Sequence, residues 1–307
     1  YPSRYDSFDK KIKLKTLDKA IKEKKYFDYI FIGTPPDTHL DLAIENLLKK
    51  PKAMMIEKPL CTPSLKKLNF LKEKIKIYKT KMFIGYDHSV SESFKKFINL
   101  AKTNIGKIST IDVDFRENWI GILKAHPWLN GAHETYLGFT KKGGGALCEH
   151  SHGLHLWLTI AKQLKLGEVF LDKATIKTER NNKLYYDKIT HLYLKSGDNV
   201  FGRVVQDVIG IPPYKKILIQ GTLGYLEWYC AKPKIGDLVI LHSEDNKVKE
   251  FVYPKNRPDD FITEINHISN IVENGGYEKS PLNIDMGIKT MEIINLAFKK
   301  NGFKEFL

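Results

Sequence analysis

One segment of the sequence, residues 143–155, combines the residue types of a catalytic site. It reads GGGALCEHSHGLH, so three glycines lead into a run that contains one acid and three histidines. Glycines permit close approach of the backbone to a ligand. Glu149 and His152 are three residues apart, which places them on one face of a helix. A carboxylate beside a histidine moves the imidazole pKa towards the working pH, and this predicts a general base that removes a hydroxyl proton.

The same segment allows two other interpretations. Its histidines, acid and cysteine are also residue types that hold zinc, namely Cys148, Glu149, His150, His152 and His155. On a regular helix, however, His150 and His152 point about 200° apart, so the three imidazoles converge only if the segment is irregular. The third interpretation is a structural cluster of buried histidines.

Two further short motifs each end an apolar run. Gly33-Thr34-Pro35-Pro36 is followed by His39, and Glu57-Lys58-Pro59 closes the next run. Ligands of open α/β folds bind at the carboxyl ends of the strands, where a small residue lets the backbone approach a cofactor. A lysine at that edge can hydrogen-bond both a substrate hydroxyl and a cofactor group. The alternatives are an ordinary strand-to-helix turn for the first motif and a surface lysine before a proline turn for the second.

The pattern of residues 28–86 predicts a parallel sheet that carries these two motifs. Three short apolar runs alternate with two amphipathic segments, which is the pattern of β-α-β-α-β. The first helix begins at about Thr38, with Asp37 as its N-cap, and the second runs from Ser64 to Ile77. The predicted strands are 28–33, 53–57 and 82–86.

The pattern changes after about His88. Short alternating runs separated by turns predict a largely antiparallel sheet with one face covered, with strands at 107–117, 170–178, 190–196, 200–208, 215–220, 225–230 and 237–242. Helices are predicted at 92–102, 146–163, 261–274 and 284–300. The predicted fold class is α/β plus α+β. A partial Rossmann domain spans residues 1–87, and a second domain with a large, mostly antiparallel sheet spans residues 88–307.

A long stretch from Phe115 to Phe139 is aromatic and polar, as a substrate-binding loop would be. A packed surface loop is the alternative. The side chains that this stretch offers to a bound ligand are Arg116, Trp119, His126, Trp128 and Tyr136.

The charge of the chain argues against a nucleic-acid partner. The 307 residues carry a formal net charge of +14, but only five of the cationic residues are arginines. Arginine is the usual residue for bidentate phosphate and base recognition. The lysines are spread along predicted helix faces and are typical of a solvated surface. Such a surface can still attract an anionic substrate such as a nucleotide sugar.

Other compositional features indicate a cytoplasmic protein with no membrane partner. No window approaches the roughly 18 consecutive apolar residues of a membrane span, and the first residues lack the apolar core of a secretory signal. The three cysteines, Cys61, Cys148 and Cys230, form no CxxC pair and are odd in number. A disulfide framework is therefore not expected, and a reducing compartment is the simplest.

Taken together, the motifs resemble the Gfo/Idh/MocA family (glucose–fructose oxidoreductase / inositol dehydrogenase) over nearly the whole chain. They occur in the family's order: IGTPPDTH (32–39), IEKPL (56–60), GGGALCEHSH (143–152), IQGTLGYLEW (219–228) and F-x-x-E-x-x-H (261–267), with Pro281 and DMG (285–287). Glu-Lys-Pro followed by a glycine-rich segment with histidine is fairly specific, whereas any one motif alone is weak.

The resemblance implies a Rossmann domain that binds NAD or NADP and a C-terminal sheet that often forms dimers or tetramers. It places the family's lysine on Lys58 and its acid and histidine on Glu149 and His152. His155 stands where the family commonly has a second acid, so His152 and His155 both remain candidates for the proton acceptor, and His155 also for substrate contact. The residues expected at the cofactor are Gly33, Thr34, Pro35, His39, Glu57, Lys58 and Pro59.

The sequence departs from the family's pattern in four places. Two lie in the histidine segment: the acid and the histidine are three residues apart rather than the commoner four, and His155 stands at the later acidic position. The strand end Gly85-Tyr86-Asp87-His88 lacks the usual Asn and Arg, so substrate contacts there are expected to differ. No G-x-G-x-x-G occurs anywhere, and the chain begins just before the third strand of the Rossmann sheet. We therefore expect an N-terminally truncated piece of a longer enzyme, which itself can be inactive; a degenerate, non-catalytic protein is the alternative.

The function expected from these residues is transfer of a hydride between nicotinamide and the hydroxyl carbon of a sugar, polyol or sugar nucleotide. Lys58 polarises the oxygen, His152 takes the proton and Glu149 tunes His152. A cofactor-deficient binding module on the same fold and a zinc-dependent enzyme are the alternatives. The first account requires the Lys58 ammonium and the His152 imidazole to meet in one cleft.

Overall fold

The computed structural model of the chain describes residues 11–13, 15–22, 26–124, 127–256 and 258–307. Its strands form two sheets, one of three strands and one of eight, and helices pack on both. Each helix in this part of the chain is too short or too polar to cross a lipid bilayer. The predicted fold class, a parallel Rossmann-type sheet followed by a large, mostly antiparallel sheet, is confirmed.

The smaller sheet contains three parallel strands in chain order, β1 (Tyr29–Ile32), β2 (Ala53–Glu57) and β3 (Lys81–Gly85). The central strand β2 is buried from Ala53 to Ile56. Nearly continuous apolar strands are typical of parallel sheets that helices cover. The sequence predicted these strands to within about a residue at each end.

The helices of this part of the chain are α1 (Leu17–Lys22), α2 (His39–Leu47) and α3 (Leu68–Tyr78). Two of the predicted starts are wrong. A 3-10 turn precedes α2, whose N-cap is Thr38 rather than Asp37. The helix predicted to begin at Ser64 begins at Leu68 instead, because Leu65 and Lys67 have left-handed backbones with φ of 57° and 67°.

The larger sheet has the order β11-β10-β9-β8-β4-β7-β6-β5. Strands β4 and β7 pair in parallel, and the other neighbours pair antiparallel. The edge strand β11 escaped prediction because its sequence, VKEFVY, is charged and half-exposed and carries little alternation. The strands are β4 (Ile108–Arg116), β5 (Val169–Asn181), β6 (Leu184–Ser196), β7 (Phe201–Asp207), β8 (Tyr214–Gly221), β9 (Gly224–Lys232), β10 (Gly236–Ser243) and β11 (Val248–Tyr253).

Helices pack against this sheet and enclose the main core. Two buried tryptophans join helices to the sheet, both by their buried apolar surface and by hydrogen bonds. Trp157 Nε1 donates to Ile111 O at 2.9 Å, and Trp228 Nε1 donates to Ser93 Oγ at 3.0 Å. The helices are α4 (Glu92–Thr103), α5 (Trp119–Leu123), α6 (Gly145–Glu149), α7 (His152–Gln163), α8 (Asp259–Asn274) and α9 (Ile284–Lys300).

The helix predicted over residues 146–163 is broken into α6 and α7. His150 leaves the helical region, with φ of −97° and ψ of 23°, and caps the end of α6. The break separates the directions of the side chains at positions 149, 150 and 152. The segment that carries the histidines is therefore irregular, and this decides which of them face the same space.

The chain returns to the smaller sheet at its C-terminal end. Ile84 N donates to Leu282 O at 2.9 Å, and α9 packs against β3. The three cysteines are buried and unpaired. The domain boundary predicted after residue 87 falls where the chain leaves the smaller sheet, and it stays a proposal because α9 contacts both parts.

Candidate active site

The carboxyl ends of the three parallel strands form one edge of the site. Glu57, at the end of β2, lies between its neighbours: a Cβ placed on Gly33 would meet Glu57 Cγ at 3.8 Å, and one on Gly85 would meet Glu57 Oε2 at 2.9 Å. Burial raises the pKa of Glu57, and the Lys58 charge opposes that shift. A glycine on either side thus leaves room for a buried carboxyl at the sheet edge.

Lys58 reaches from this edge to the segment that the sequence singled out. Its Nζ donates to the Glu149 backbone oxygen at 2.8 Å and to Glu149 Oε1 at 2.9 Å. The two side chains are 17% and 12% exposed, so the pair is largely shielded from water. Burial lowers the pKa of Lys58, but attraction to Glu149 outweighs it, and the net pKa is raised. Lys58 is therefore a fixed cation in the cleft.

The acid that neighbours His152 is Asp87 rather than Glu149. The distance from His152 Nδ1 to Asp87 Oδ1 is 3.8 Å. His88 Nδ1 lies 3.2 Å from the same oxygen, and the rings of His88 and His152 are 4.5 Å apart between centroids. The expected pairing of Glu149 with His152 is therefore corrected: the Glu149 carboxylate pairs with Lys58, and Asp87 is the acid next to His152.

Burial makes His152 a neutral imidazole. It lowers the His152 pKa well below its ordinary value, and the neighbouring His88 and the Lys58 ammonium lower it further. Burial raises the pKa of Asp87, and the Lys255 charge partly offsets that rise. The sequence had predicted an imidazole pKa near the working pH, so the direction found here is a correction.

The other two histidines of the segment have structural roles. His150 Nε2 lies 3.2 Å from the Glu117 backbone oxygen. His155 is fully buried, stacks on Tyr86 at 3.9 Å between ring centroids and hydrogen-bonds Pro281 O at 2.9 Å through Nε2. The alternative in which His150, His152 and His155 together hold zinc is not supported within the described residues, where these three do not form a ligand group. The expected roles of His155 as a substrate contact and as a proton acceptor are corrected too, because its side chain is fully buried.

A cavity of about 750 Å³ opens beside these groups. Asp87, His88 and Glu149 line it, and so do Lys215 and Lys255. The two lysines are paired: Lys215 Nζ lies 2.7 Å from Glu117 Oε2, and Lys255 Nζ lies 2.7 Å from Asp260 Oδ1. The cavity wall is rich in both charges and is suited to a polar ligand.

The predicted substrate loop is divided between this region and a small separate core. Trp119 is 9% exposed and packs edge-on against Tyr186 at 5.6 Å, so its expected substrate contact is corrected to a core role. Arg116 is held by Asp114 at 2.6 Å. Burial raises the pKa of the half-buried Tyr136, and the charges of Glu149 and Glu57 raise it further. Trp128 is 38% exposed, and His126 lies outside the described residues.

The predicted cofactor residues form two groups. Gly33 and Pro35 are exposed and Thr34 is half-buried, so this strand end presents backbone to a ligand. His39 is fully buried; its Nδ1 lies 2.9 Å from Pro59 O and its Nε2 lies 2.6 Å from Thr34 O. The expected cofactor contact of His39 is therefore corrected: it joins the two loops and presents no surface of its own.

Three site residues were missed by the sequence analysis as participants: Asp87, His88 and Glu264. Asp87 and His88 directly follow β3, at the same sheet edge as Gly33 and Glu57, and that position was the available signal. Glu264, on α8, is 2% exposed and has an unpaired buried oxygen, Oε1. Burial, Asp87 and Glu57 together raise its pKa to about 9, so it is neutral at pH 7.

Comparison with known proteins gives one match in sequence and many in structure. The family described as "Oxidoreductase family, NAD-binding Rossmann fold" (Gfo/Idh/MocA) matches residues 4–86. A search of curated proteins finds no match to the chain.

Solved structures with the same fold include three oxidoreductases. A 3-ketoreductase from Actinomadura kijaniata, in complex with NADP and TDP-benzene, is 14% identical with a TM-score of 0.72, over 92% of this chain and 80% of that one. An aldose-aldose oxidoreductase from Caulobacter crescentus is 17% identical, with a TM-score of 0.71 over 92% and 79%. An inositol dehydrogenase homologue from Azotobacter vinelandii, complexed with NAD+, is 13% identical, with a TM-score of 0.68 over 92% and 79%.

These identities are low, so the structural matches show a shared fold. The sequence match covers the smaller sheet and its helices, including the Gly33 and Lys58 motifs. Residues 4–86 thus match the Rossmann segment of the Gfo/Idh/MocA oxidoreductase family in sequence, and the chain as a whole shares the fold of the oxidoreductases named above.

Proposed function

We propose that the protein is an NAD(P)-dependent oxidoreductase that acts on a hydroxyl carbon of a sugar, a polyol or a sugar nucleotide. The observation that carries this proposal is the meeting of Lys58 with the 149–152 segment. A buried cation and a neutral imidazole, contributed by distant parts of the chain, lie at the carboxyl edge of a Rossmann-type sheet. This edge is where α/β folds bind their ligands.

The strand ends suit the nicotinamide end of a dinucleotide. Gly33 and Pro35 are exposed, and a Cβ at Gly33 would meet only one atom within 4 Å, so a flat ring can approach the backbone there. When bound, the nicotinamide supplies the hydride acceptor or donor at its C4 atom. The chain's residues proposed to hold it are Gly33, Thr34, Pro35, Glu57, Lys58 and Pro59, with His39 supporting the loops.

The chain's own part in the reaction is to stabilise an oxygen and move a proton. The Lys58 ammonium is proposed to hydrogen-bond the substrate hydroxyl and stabilise the negative charge that develops on it. His152 is neutral, which is the form that accepts the hydroxyl proton. Once protonated, its imidazolium gains the attraction of the Asp87 carboxylate 3.8 Å away. Glu149 keeps the Lys58 ammonium in place.

The substrate class follows from the cavity and from the related structures. A space of about 750 Å³ with acids and lysines on its walls suits a ligand with many hydroxyl groups. The fold neighbours named above include enzymes of aldoses and an inositol dehydrogenase homologue with NAD+. Tyr136 and Trp128 remain proposed contacts at the rim. A homo-oligomer through the outer face of the larger sheet is proposed as well.

A substrate screen on the purified chain tests the proposal. Sugars, polyols and sugar nucleotides are incubated with NAD+ or NADP+, and formation of the reduced nucleotide is followed by its absorbance. We expect turnover that Lys58→Ala lowers by orders of magnitude and that His152→Ala also abolishes. Lys52→Ala is the matched control, because Lys52 precedes β2, at the opposite end of that strand from Lys58. Its side chain is 67% exposed and pairs with Asp28. Wild-type turnover in Lys58→Ala would remove Lys58 from the mechanism.

The second candidate, a cofactor-deficient binding module, is favoured by one specific observation. The 307 residues contain no G-x-G-x-x-G, the motif that holds the pyrophosphate in many Rossmann domains. Fluorescence titration with NADH and NADPH separates the two candidates. Weak or undetectable binding to this chain, together with tight binding to a version extended by an upstream glycine-rich unit, would show that such a unit supplies the affinity. Turnover without measurable dinucleotide binding would contradict both candidates.

A further inference from the structure

Three side chains converge beside the proposed reaction centre in an arrangement that the dehydrogenase account does not require. They are Asp87 and His88, in the turn after β3, and His152, the first residue of α7. One potential ligand atom from each lies within 4.8 Å of the others. Among the residues that the structure describes, no other group of three histidine, cysteine or acid side chains meets this condition.

The distances between these atoms are close to those of a metal site. His88 Nδ1 and His152 Nδ1 lie 3.2 and 3.8 Å from Asp87 Oδ1. Zinc bonds nitrogen and oxygen at about 2.0–2.2 Å, so the edge of a tetrahedral site measures about 3.3–3.6 Å. The two measured separations, 3.2 and 3.8 Å, lie on either side of that range.

The two imidazole nitrogens are free to bind a metal. Both Nδ1 atoms are buried and have no hydrogen-bond partner within the described structure. Buried polar atoms are nearly always satisfied, so two unpaired ones that face a single carboxylate oxygen need an explanation.

The surroundings hold the ligands in place and leave one side open. Asp87 Oδ1 accepts a hydrogen bond from the His88 backbone N–H at 2.7 Å, which fixes the carboxylate. Tyr86 packs edge-on against His152 at 5.3 Å between ring centroids. Asp87 and His88 line the 750 Å³ cavity, so a fourth position would face the space proposed for the substrate. Three protein ligands and one open position are the pattern of a catalytic rather than a structural zinc site.

We propose that Asp87, His88 and His152 bind one divalent ion of the zinc class, with the fourth coordination position open to the cavity. Two imidazoles and a carboxylate are the ligand set that favours Zn²⁺ over Mg²⁺ or Ca²⁺, which prefer oxygen ligands. This set differs from the one expected from the sequence, because His150 and His155 are engaged elsewhere. The inference goes beyond the proposed function, and metal and proton compete for the same His152 nitrogen.

Direct binding measurements test the site. The chain is stripped with a chelator, dialysed, and titrated with Zn²⁺ under equilibrium dialysis with metal analysis. We expect one ion per chain, and we expect Asp87→Asn, His88→Ala and His152→Ala each to weaken binding by tenfold or more. His242→Ala is the matched control, because that histidine lies on β10 beside Glu227 and outside the cluster. Unchanged Zn²⁺ affinity in all three cluster variants would overturn the proposal.

Spectroscopy on the wild-type chain keeps the test decisive if a variant does not fold. Cobalt substitution should give the absorption of a four- or five-coordinate ion without a thiolate charge-transfer band, and X-ray absorption of the zinc form should show two imidazoles and no sulfur. A sulfur ligand would place the ion at Cys148 or Cys61 and overturn the assignment. Nucleotide-dependent turnover is measured on metal-free protein, so failure of the metal site and failure of the proposed function are distinguished.

Discussion

The Lys58 ammonium lies 2.9 Å from Oε1 of Glu149, a residue 91 positions later in the chain. The ion pair joins the carboxyl edge of the smaller sheet to the end of α6 and holds the cation within the cleft. The second carboxylate oxygen of Glu149, Oε2, is buried and has no hydrogen-bond partner within the described structure. A buried pair of this kind costs desolvation energy, so its geometry points to a role in the site more than to a gain in stability.

The first prediction concerns the free energy of unfolding of this pair. Lys58→Met leaves the Glu149 carboxylate buried without its cation, and Glu149→Leu does the reverse. Each single change should therefore lower the free energy of unfolding by about 3–5 kcal/mol. The double variant should lose much less than the sum, because no unpaired charge remains. Urea denaturation of the four proteins measures the coupling. Additive losses would mean that the two charges do not interact in solution.

The second prediction concerns Glu264, whose folded pKa is about 9 against an ordinary value of 4.5. A raised carboxyl pKa gives stability that is complete below the unfolded pKa and is lost as the pH rises through the folded one. Between about pH 4.5 and 9 this carboxyl is ionised in the unfolded chain and neutral in the folded one. The free energy of unfolding therefore falls by up to about 1.4 kcal/mol per pH unit. Glu264→Gln removes this titration while keeping the shape. The wild-type chain should lose stability with rising pH relative to this variant.

Urea midpoints of the two proteins across this pH range provide the measurement. Near pH 4 the wild-type chain and Glu264→Gln should be similar, because both carry a neutral side chain there. Parallel curves from pH 4.5 to 9 would mean that Glu264 ionises normally in the folded protein. Glu305→Gln is a matched control, since burial is minor at that exposed carboxyl and its pKa is lowered by the Tyr185 hydroxyl.

The strands and most helices could be predicted from sequence because apolar periodicity is a local property. Residues 53–57 and 284–300, for example, have the predicted ends. The family's order of motifs predicted that Lys58 meets His152; the contact found is with Glu149, in the same segment. The partner of His152 could not be obtained in this way. It depends on the break at His150 and on the turn that carries Asp87, and neither feature has a periodic signal.

The aromatic loop failed for a related reason. Polarity and aromatic content predicted a binding loop over residues 115–139, but they do not say which rings turn inwards. Trp119 packs on Tyr186 and joins a small core under the loop, whereas Trp128 stays at the surface. Composition is the same in the two cases, and the tertiary packing decides between them.

The third prediction uses these two tryptophans. Trp119→Ala removes a buried ring from the small core and should lower the free energy of unfolding by about 3–5 kcal/mol. Trp128→Ala should cost little stability, because its ring is 38% exposed. If Trp128 contacts substrate as proposed, its loss should appear as a raised KM. Equal losses of stability would contradict the division of the loop, and a raised KM with unchanged stability in Trp119→Ala would restore Trp119 as a substrate contact.

The fourth prediction concerns the start of α6, which positions Glu149. Gly145 has φ of +80°, and a Cβ there would overlap Asp187 Oδ1 and lie 2.6 Å from Thr140 Oγ. Asp187 is fully buried and accepts hydrogen bonds from the Thr140 hydroxyl at 2.6 Å and from Leu147 N at 2.8 Å. Gly145→Ala must therefore move the carboxylate that ties α6 to β6, and with it the helix that ends at Glu149.

Gly302→Ala is the matched control for this change. Gly302 has a similar φ of +78°, but an added Cβ would meet nothing within 4 Å, so only backbone strain of about 1–2 kcal/mol is expected. Gly145→Ala carries the same strain and the steric overlap as well, so its loss of stability should be clearly larger. Urea denaturation measures both costs, and turnover should fall in Gly145→Ala alone because Glu149 holds Lys58. Equal costs and equal turnover in the two variants would show that the backbone of α6 adapts without disturbing the ion pair.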